Sequence, residues 1–492
     1  MPTLDTDYLV IGAGATGLAF ADTLLEHHPD CHITLVDRRT LAGGHWNDAY
    51  PFVALHQPSA FYGVNSLSLG SGRKDEHGHN AGLYELASGA EVCGYFQQVM
   101  QQRLLASGRV SFLSGHRFEG MDETGRARLV ACLSGAGLTV KVRCKRVDAA
   151  HFMPDVPATT PPAYPAADGV RLLTPTALSR LGLPGDNDAA GPPSGYCIVG
   201  AGKTAMDVGV WLLGQGVPAE AIHWVVPRDS WVVNRLTTQP GEEFFMHSIG
   251  GMVKQMRALA AAEGVDDVFL RLEAAGQMLR IDPAHTPRMF HYATLSEGEV
   301  ALLRRITQVI RRGRVLAIER DALVMEQGGR LPMPPGLAYI HCSTSAVRRL
   351  QVQPIFQPGR ITPQLVRAPL VTFSAAVCAY VEARVATGDD CAAADAARNA
   401  LCQPAPFPHD LAGYLAATLV NQSNQLRWNQ DKALRDWMRQ TRLDGFGRLT
   451  SSVDRGDTDK MAVLVELREL MGPAMANAAR LLAAARGEPQ HP

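Results

Sequence analysis

The chain has 492 residues, 46% of them hydrophobic and 19% charged. That is the composition of a globular protein too long for one hydrophobic core, and about 150 residues per domain predicts about three units. The formal net charge of −1 leaves no basic footprint and argues against nucleic acid or an anionic membrane surface as partner. The nine cysteines include no C-x-x-C pair, which argues against a metal cluster and disulfide-reductase chemistry and fits reduced thiols in a cytoplasmic setting.

The opening MPTLDTDYLVIGAG carries no positive charge ahead of its short apolar run, so no signal peptide is expected. No apolar stretch of about 18 residues predicts a membrane span. Tyr8 to Ile11 reads as a buried parallel strand ending at glycine, 17–28 has helical apolar spacing, and Ile33 to Val36 is the next strand of a βαβ unit. Between 109 and 150 the alternation in RARLVACLSG and LTVKVRCKRV predicts an antiparallel meander hung on that sheet. Prolines crowd 152–193 and mark a crossover between domains. A second strand–glycine–helix unit opens at Tyr196 and reaches its next strand at Ile222–Val226. Residues 242–312 are mostly helical in pattern, an insertion suited to a lid, to a contact in a homo-oligomer or to a plain structural layer. From Gly336 the run LAYIHCSTSA predicts a strand returning to the first domain, and 370–492 is largely helical.

The two glycine turns carry the chemistry. In Gly12-x-Gly14-x-x-Gly17 the first glycine permits the tight turn, the second lets a pyrophosphate approach the backbone, and the third lets helix pack on strand. The helix start, with Thr16 in its first turn, offers free N–H groups to phosphate. Asp37, followed by Arg38, ends the next strand, where a carboxylate accepts ribose hydroxyls. The second turn reads Gly200-x-Gly202-Lys203-Thr204-Ala205. It is not a Walker A loop, because Cys197 stands where that loop needs glycine. Its next strand ends not in an acid but in Pro227-Arg228, a guanidinium suited to the 2′-phosphate of NADPH. An acidic and a basic site predict two different dinucleotides, FAD at the first and NADPH at the second.

The segment Gly43-Gly44-His45-Trp46-Asn47-Asp48-Ala49-Tyr50-Pro51 resembles the GG-x-W…YPG segment of flavin-containing and Baeyer–Villiger monooxygenases, where it lies beside FAD. GLYELASGAEVCGYF (82–96) and PRDSW (227–231) are similar to two further motifs of those families. The resemblance covers roughly 5–235 and implies an α/β fold of two Rossmann-type domains. The NADPH domain (194–335, with the helical insertion 242–312) would interrupt a discontinuous FAD domain (1–165 and 336–405), and a helical C-terminal region (406–492) would follow. It also implies a reaction: NADPH reduces FAD, O2 adds to give a C4a-(hydro)peroxyflavin, and one oxygen atom passes to a small organic substrate. The sequence departs from the families at their F-x-G-x-x-x-H linker, where ADGVRLLTPTAL stands. Their two Ala-Thr-Gly turns are replaced by Ala149-Ala150-His151 and Ser343-Thr344-Ser345, which marks a distinct branch.

By the same resemblance Gly44, His45, Trp46 and Gln57 are candidates to line the flavin. His56 is a candidate proton donor or acceptor, and Gln57 a hydrogen-bonding partner of the flavin or a peroxide oxygen. Asn234 and Arg235 are candidates to face the nicotinamide or the flavin. Trp428 is a candidate to cap the active site, beside the plain alternative of a surface helix. His77-Gly-His79 reads as a solvated loop, and no metal is expected. Two other functions fit the same architecture: a single-component flavin-dependent halogenase, which needs a lysine facing the flavin, and a non-catalytic FAD-fold binding protein.

Overall fold

Tyr8, Leu9 and Val10 are buried, as an apolar run is when both faces of a parallel sheet are covered. They belong to β1 (Thr3–Ile11), which pairs in parallel with β2 (Ile33–Asp37) on one side and β6 (Gly137–Asp148) on the other. The computed structural model describes residues 3–152, 155–183, 191–344, 347, 351–384 and 391–487. Its first sheet runs β18 (Phe356–Gln357), β19 (Arg360–Ile361), β6, β1, β2, β3 (Val110–Ser114). The expected meander is β4 (His116–Met121) and β5 (Ala127–Ala131), antiparallel against β6. Between β1 and β2 runs α1 (Ala15–His27), whose Leu18 and Leu24 share a core with Phe373 and Val377 of α8 (Val371–Arg384). A capping box of Ser88 and Glu91 starts α2 (Gly89–Gln98).

The second sheet is also parallel and runs β13 (Gln308–Ile310), β9 (Ile222–Val225), β8 (Gly195–Val199), β17 (Leu337–His341), β7 (Arg171–Leu173). Two expectations are corrected here. The strand at 337–341 does not return to the first domain: it pairs with β8 from Leu337↔Gly195 to His341↔Val199. The physical reason is that each glycine turn needs a neighbouring strand end beside it. A Cβ on Gly200 would lie 2.6 Å from the carbonyl oxygen of Cys342, just past β17, as a Cβ on Gly12 would meet Ala149 and Ala150 just past β6. The second unit also begins before 194, because β7 and the short α3 (Pro175–Leu178) already belong to it. Of the proline-rich crossover, 153–154 and 184–190 lie outside the described residues, as does Ser345. The chain regains the first sheet only at β19, where Arg360 and Ile361 pair with Arg146 and Val147.

The insertion is less helical than its sequence suggests. Between α5 (Phe245–Ala261), α6 (Val265–Ala274) and α7 (Glu297–Leu303) lie β11 (Met278–Leu279) and β12 (Met289–Leu295), both paired with β10 (Ser230–Asn234). A meander of β14 (Val315–Ile318), β15 (Ala322–Met325) and β16 (Gly329–Pro332) follows β13. One face of α5 is met by the chain's own last helix, α13 (Thr458–Arg486), through Met256, Leu259, Ala474 and Ala478. The other C-terminal helices are α9 (Cys391–Leu401), α10 (Leu411–Gln430), α11 (Lys432–Gln440) and α12 (Gly445–Ser451). Trp428 of α10 sits fully buried in the first core, its indole N–H donating to the carbonyl of Leu401 at 2.7 Å. Among the described residues no helix is long and apolar enough to cross a membrane.

Candidate functional site

Gly12 turns the chain out of β1 at φ +103°, a conformation that favours glycine. Gly14 is the N-cap of α1 and offers no side chain to its first N–H groups, which leaves them to a ligand. Thr16 and Gly17 lie in that first turn. Asp37, almost fully buried, accepts the N–H groups of Ala13 and Arg39, each at 2.8 Å. A carboxylate has about four lone-pair sites, so part of its capacity is left for hydroxyls. Arg38 follows at the surface, and Arg39 pairs with Asp48. The Gly43–Gly44 loop lies against this turn: a Cβ on Gly14 would stand 3.4 Å from the Cα of Gly44. His45 stacks on Trp46, whose indole N–H donates to the Tyr62 hydroxyl at 2.8 Å. His151, just past the Ala149–Ala150 turn, has a buried Nε2 without a hydrogen-bond partner among the described residues.

The second turn repeats this build with opposite charge. Gly202 is the N-cap of α4 (Lys203–Gly214), again without side-chain capping, and open space lies beside it. A cleft of about 370 Å³ opens beyond β8, β9 and β13, with Ala201, Asp229, Arg304 and Arg311 on its walls. Asp229 is held by Arg311 through two bonds of 2.9 and 3.0 Å. That leaves Arg228 exposed, its guanidinium in no ion pair among the described residues.

The two units meet along α4 and at Arg235. Tyr50, from the GGHWNDAYP segment, donates its hydroxyl to Asp207 of α4 at 2.7 Å, and Lys203 pairs with the other oxygen of Asp207. Thr204 hydrogen-bonds the same tyrosine. Phe52 stacks on Trp211 one turn along, centroids 4.6 Å apart. Arg235 is fully buried; it pairs with Glu299 at 2.7 Å and donates to the carbonyls of His56 (3.3 Å) and Thr294 (3.1 Å) and to the side chain of Asn80. Asn234 is occupied with Gly276, Leu236 and Glu297. Burial, with Lys203 and Arg235 close by, holds His56 well below the usual imidazole range, so His56 is neutral at physiological pH. Gln57 donates to the Phe61 carbonyl at 3.3 Å. The structure thus gathers His56, Gln57, Lys203, Thr204 and Arg235 near one interface, with Asn234 behind them. Arg228 lies outside this interface, three residues past β9, whose last residue Val225 accepts the Gly200 N–H at 3.1 Å.

Residues 10–66, from β1 through the Gly43–Gly44 loop, match the family described as NAD(P)-binding Rossmann-like domain. Over 486 residues the chain is 40% identical to the uncharacterized protein Rv2000 of Mycobacterium tuberculosis, spanning 98% of this chain and 86% of that protein. The same figures hold for the uncharacterized protein Mb2023 of Mycobacterium bovis. The chain belongs to the family of these mycobacterial proteins. Among solved structures, a polycyclic ketone monooxygenase from the thermophilic fungus Thermothelomyces thermophila superposes with a TM-score of 0.53 at 14% identity, covering 90% of this chain and 89% of that one. The fold is therefore that of such a monooxygenase, with one Rossmann-type unit inserted into another, as the sequence resemblance implies.

Asn80, Asp207 and Glu299 escaped the sequence reading, and Tyr50 entered it only as part of the GGHWNDAYP segment, without its contact to Asp207. Two of them left signals. Asp207 stands one turn after Lys203, where an ion pair forms on a helix. Ser296-x-x-Glu299 is a capping box, and Glu299 accepts the Ser296 N–H at 2.7 Å while also holding Arg235. His45 supplies a pH test. Burial, then Arg39, lowers its pKa to about 4, against about 6.5 in an unfolded chain. The unfolded state alone takes up that proton between these values, so His45 contributes stability that is complete above about pH 6.5 and falls as the pH drops toward 4. Thermal melts of wild type and His45→Gln across this window should show a shallower pH dependence in the variant; parallel curves would count against the assignment.

Proposed function

We propose that the chain is an FAD- and NADPH-dependent oxidoreductase of the monooxygenase type, acting with O2 on a small organic substrate. The observation that carries this reading is the pair of uncapped glycine turns, one followed by the buried acid Asp37 and the other by the exposed Arg228. Both residue sets suit their groups. Toward FAD, the N-terminus of α1 meets the pyrophosphate, Asp37 takes ribose hydroxyls, and His151 brings an unpartnered buried nitrogen close to the same turn. Toward NADPH, the N-terminus of α4 and Lys203 meet the pyrophosphate, and the 370 Å³ cleft takes the adenosine end. FAD, held at the first turn, would supply the redox chemistry: with two electrons from NADPH, one atom of O2 would pass to substrate and the other would leave as water. The chain's own part is to orient and to exclude water. Tyr50 and Phe52 lock the nucleotide-bearing helix α4 to the first unit, and Arg235 fixes the His56 carbonyl so that a neutral imidazole and the Gln57 amide are presented together. The fungal enzyme named for polycyclic ketones makes carbonyl compounds the first substrates to try. The halogenase alternative gains little support, since Lys203, the lysine at this interface, is engaged by Asp207.

The purified protein should be yellow, and NADPH should bleach it anaerobically; colourless protein that refuses added FAD would overturn the reading, and bound flavin that NADPH cannot bleach would favour a binding protein. Arg228→Ala should weaken NADPH and leave NADH nearly untouched. A hydrogen bond to a charged group contributes about 1.5–3 kcal/mol, roughly 10- to 150-fold in affinity, and an exposed contact weakens with salt. Arg228→Lys should recover only part, lacking the bidentate fork. Equal losses for both nucleotides would show that Arg228 does not read the 2′-phosphate.

A further inference from the structure

The charges on the walls of the 370 Å³ cleft beyond the second glycine turn cancel, but those around its mouth do not. On the walls Arg311 is shared by Asp229 and Asp282. Arg304 donates to the carbonyls of Ile281 and Arg280, each at 2.8 Å. Two arginines there face two acids. Around the rim stand four more arginines, each next in sequence to a wall residue. Arg228 adjoins Asp229, Arg288 adjoins Pro287, Arg305 adjoins Arg304 and Arg312 adjoins Arg311. Consecutive Cα atoms are about 3.8 Å apart, which puts each rim backbone within a Debye length of the wall, about 8 Å at physiological salt.

All four rim arginines are exposed, and none is in an ion pair among the described residues. Elsewhere in the same unit Arg271, Arg280 and Arg330 are each held by a carboxylate. In a chain of formal net charge −1, the rim is a local excess of positive charge at a concave site. It is also more than contact requires, since one guanidinium suffices to read a 2′-phosphate. Charge of one sign around a cleft focuses the field and raises the association rate of an opposite charge by about 10- to 1,000-fold. A phosphate monoester adds about 1.5–2 negative charges. Such a field therefore separates the phosphorylated coenzyme from the unphosphorylated one before either touches the protein.

We infer that Arg288, Arg305 and Arg312 steer the phosphorylated coenzyme into the cleft, so that selection against NADH begins in the association rate. Arg228 reads the 2′-phosphate on arrival; the other three act at a distance and set the speed of capture. The inference rests on the second turn taking NADPH and adds a kinetic origin to that selectivity. The two roles differ in signature. Removing a charge at the rim changes association and its salt dependence, whereas removing a buried contact changes dissociation.

The test mixes the full chain with NADP+ or NAD+, which bind without hydride transfer, and follows tryptophan fluorescence in stopped flow; Trp224 lies in the cleft wall. Association and dissociation rates are read at about 0.01 M and about 0.15 M salt, where the Debye length is about 30 Å and about 8 Å. The rim variant carries Arg288→Gln, Arg305→Gln and Arg312→Gln and keeps Arg228. A control removes as much charge from exposed positions on the first unit's meander and the strand beside it, through Arg126→Gln, Arg128→Gln and Lys141→Gln. At low salt the rim variant should take up NADP+ about tenfold more slowly than wild type, the lower end of what steering supplies. NAD+ should slow less, dissociation should stay within about twofold, and the difference should shrink at the higher salt. The control should match wild type. If the triple variant melts low, the three single variants decide instead, each expected to slow association about twofold. Unchanged association overturns the inference, as does a loss confined to dissociation or an equal slowing in the control. In those three cases wild type still prefers NADP+, so the NADPH reading stands. A wild type that takes up neither coenzyme discards that reading and the inference together.

Discussion

Replacing Gly14 by valine should yield colourless protein. The expectation follows from what surrounds this residue. Gly14 caps α1 without a side chain, so the first N–H groups of the helix face outward with the positive end of the helix dipole behind them. A pyrophosphate accepting two such N–H groups gains about 1.5–3 kcal/mol from each. Losing both costs about 3–6 kcal/mol, two to four orders of magnitude in affinity. The valine has nowhere else to go: its Cβ would stand 3.4 Å from the Cα of Gly44, and its methyl groups would press into the loop or the phosphate path. The loop cannot retreat freely, because the Gly43 N–H donates to the Ala13 carbonyl at 2.8 Å. The second turn lies in another sheet, so NADP+ affinity should survive and serve as the control. Flavin absorbance of the purified variant, followed by titration with FAD, reads the result. A yellow variant with wild-type affinity would mean that FAD does not use this turn. Loss of both nucleotides together would point to misfolding, and Gly14→Ala, a smaller intrusion, would then decide between the two.

Both glycine turns were legible in the sequence because each rule that defines them is local: an apolar strand, a turn that tolerates only glycine, a helix start, and a charge at the next strand end. Asp37 and Arg228 stand where those rules put them. What escaped was non-local. LAYIHC reads equally well as a strand of either sheet, and its place was settled by register against β8 and by the close approach of Cys342 to Gly200. The short strands β11 and β12 lie among helices and owe their form to pairing with β10. At the interface, Arg235 was picked out as a functional candidate, but its partner Glu299 lies beyond most of the insertion, and no spacing rule joins them. The C-terminal helices illustrate the same limit. Trp428 is in a polar stretch, RWNQDK, yet is wholly buried, because Arg367 lies over one side of its ring and Phe373 packs edge-on.

Arg235→Met should cost more stability than any surface substitution in the chain. The guanidinium is fully buried between the two units and holds Glu299, the carbonyls of His56 and Thr294, and Asn80. Removing one partner of a buried ion pair leaves an uncompensated charge and costs about 3–5 kcal/mol. At about 2–4 °C per kcal/mol for a domain of some 150–250 residues, that is a fall of roughly 6–20 °C in melting temperature. The pair itself need not be strongly stabilising, so Arg235→Met combined with Glu299→Leu should recover part of the loss; a double variant no better than the single would show that the carbonyl contacts matter more than the charge. Acid should act in the same direction as the mutation. Burial pushes Glu299 up, but Arg235, Lys203 and the Ser296 N–H pull further, and its carboxyl sits below the ordinary value. A carboxylate depressed in the native state contributes stability that is present above its unfolded value of about 4.3 and is lost as the pH falls through the lower native value. Glu299→Gln should therefore flatten the acid limb of the stability curve below about pH 4.3 while lowering the plateau above it. Melting curves and the binding of NADP+, followed together, separate two roles. Stability lost with affinity intact would make Arg235 a structural clamp. Affinity lost with the first unit still holding its flavin would make it the residue that sets the two nucleotide sites against each other.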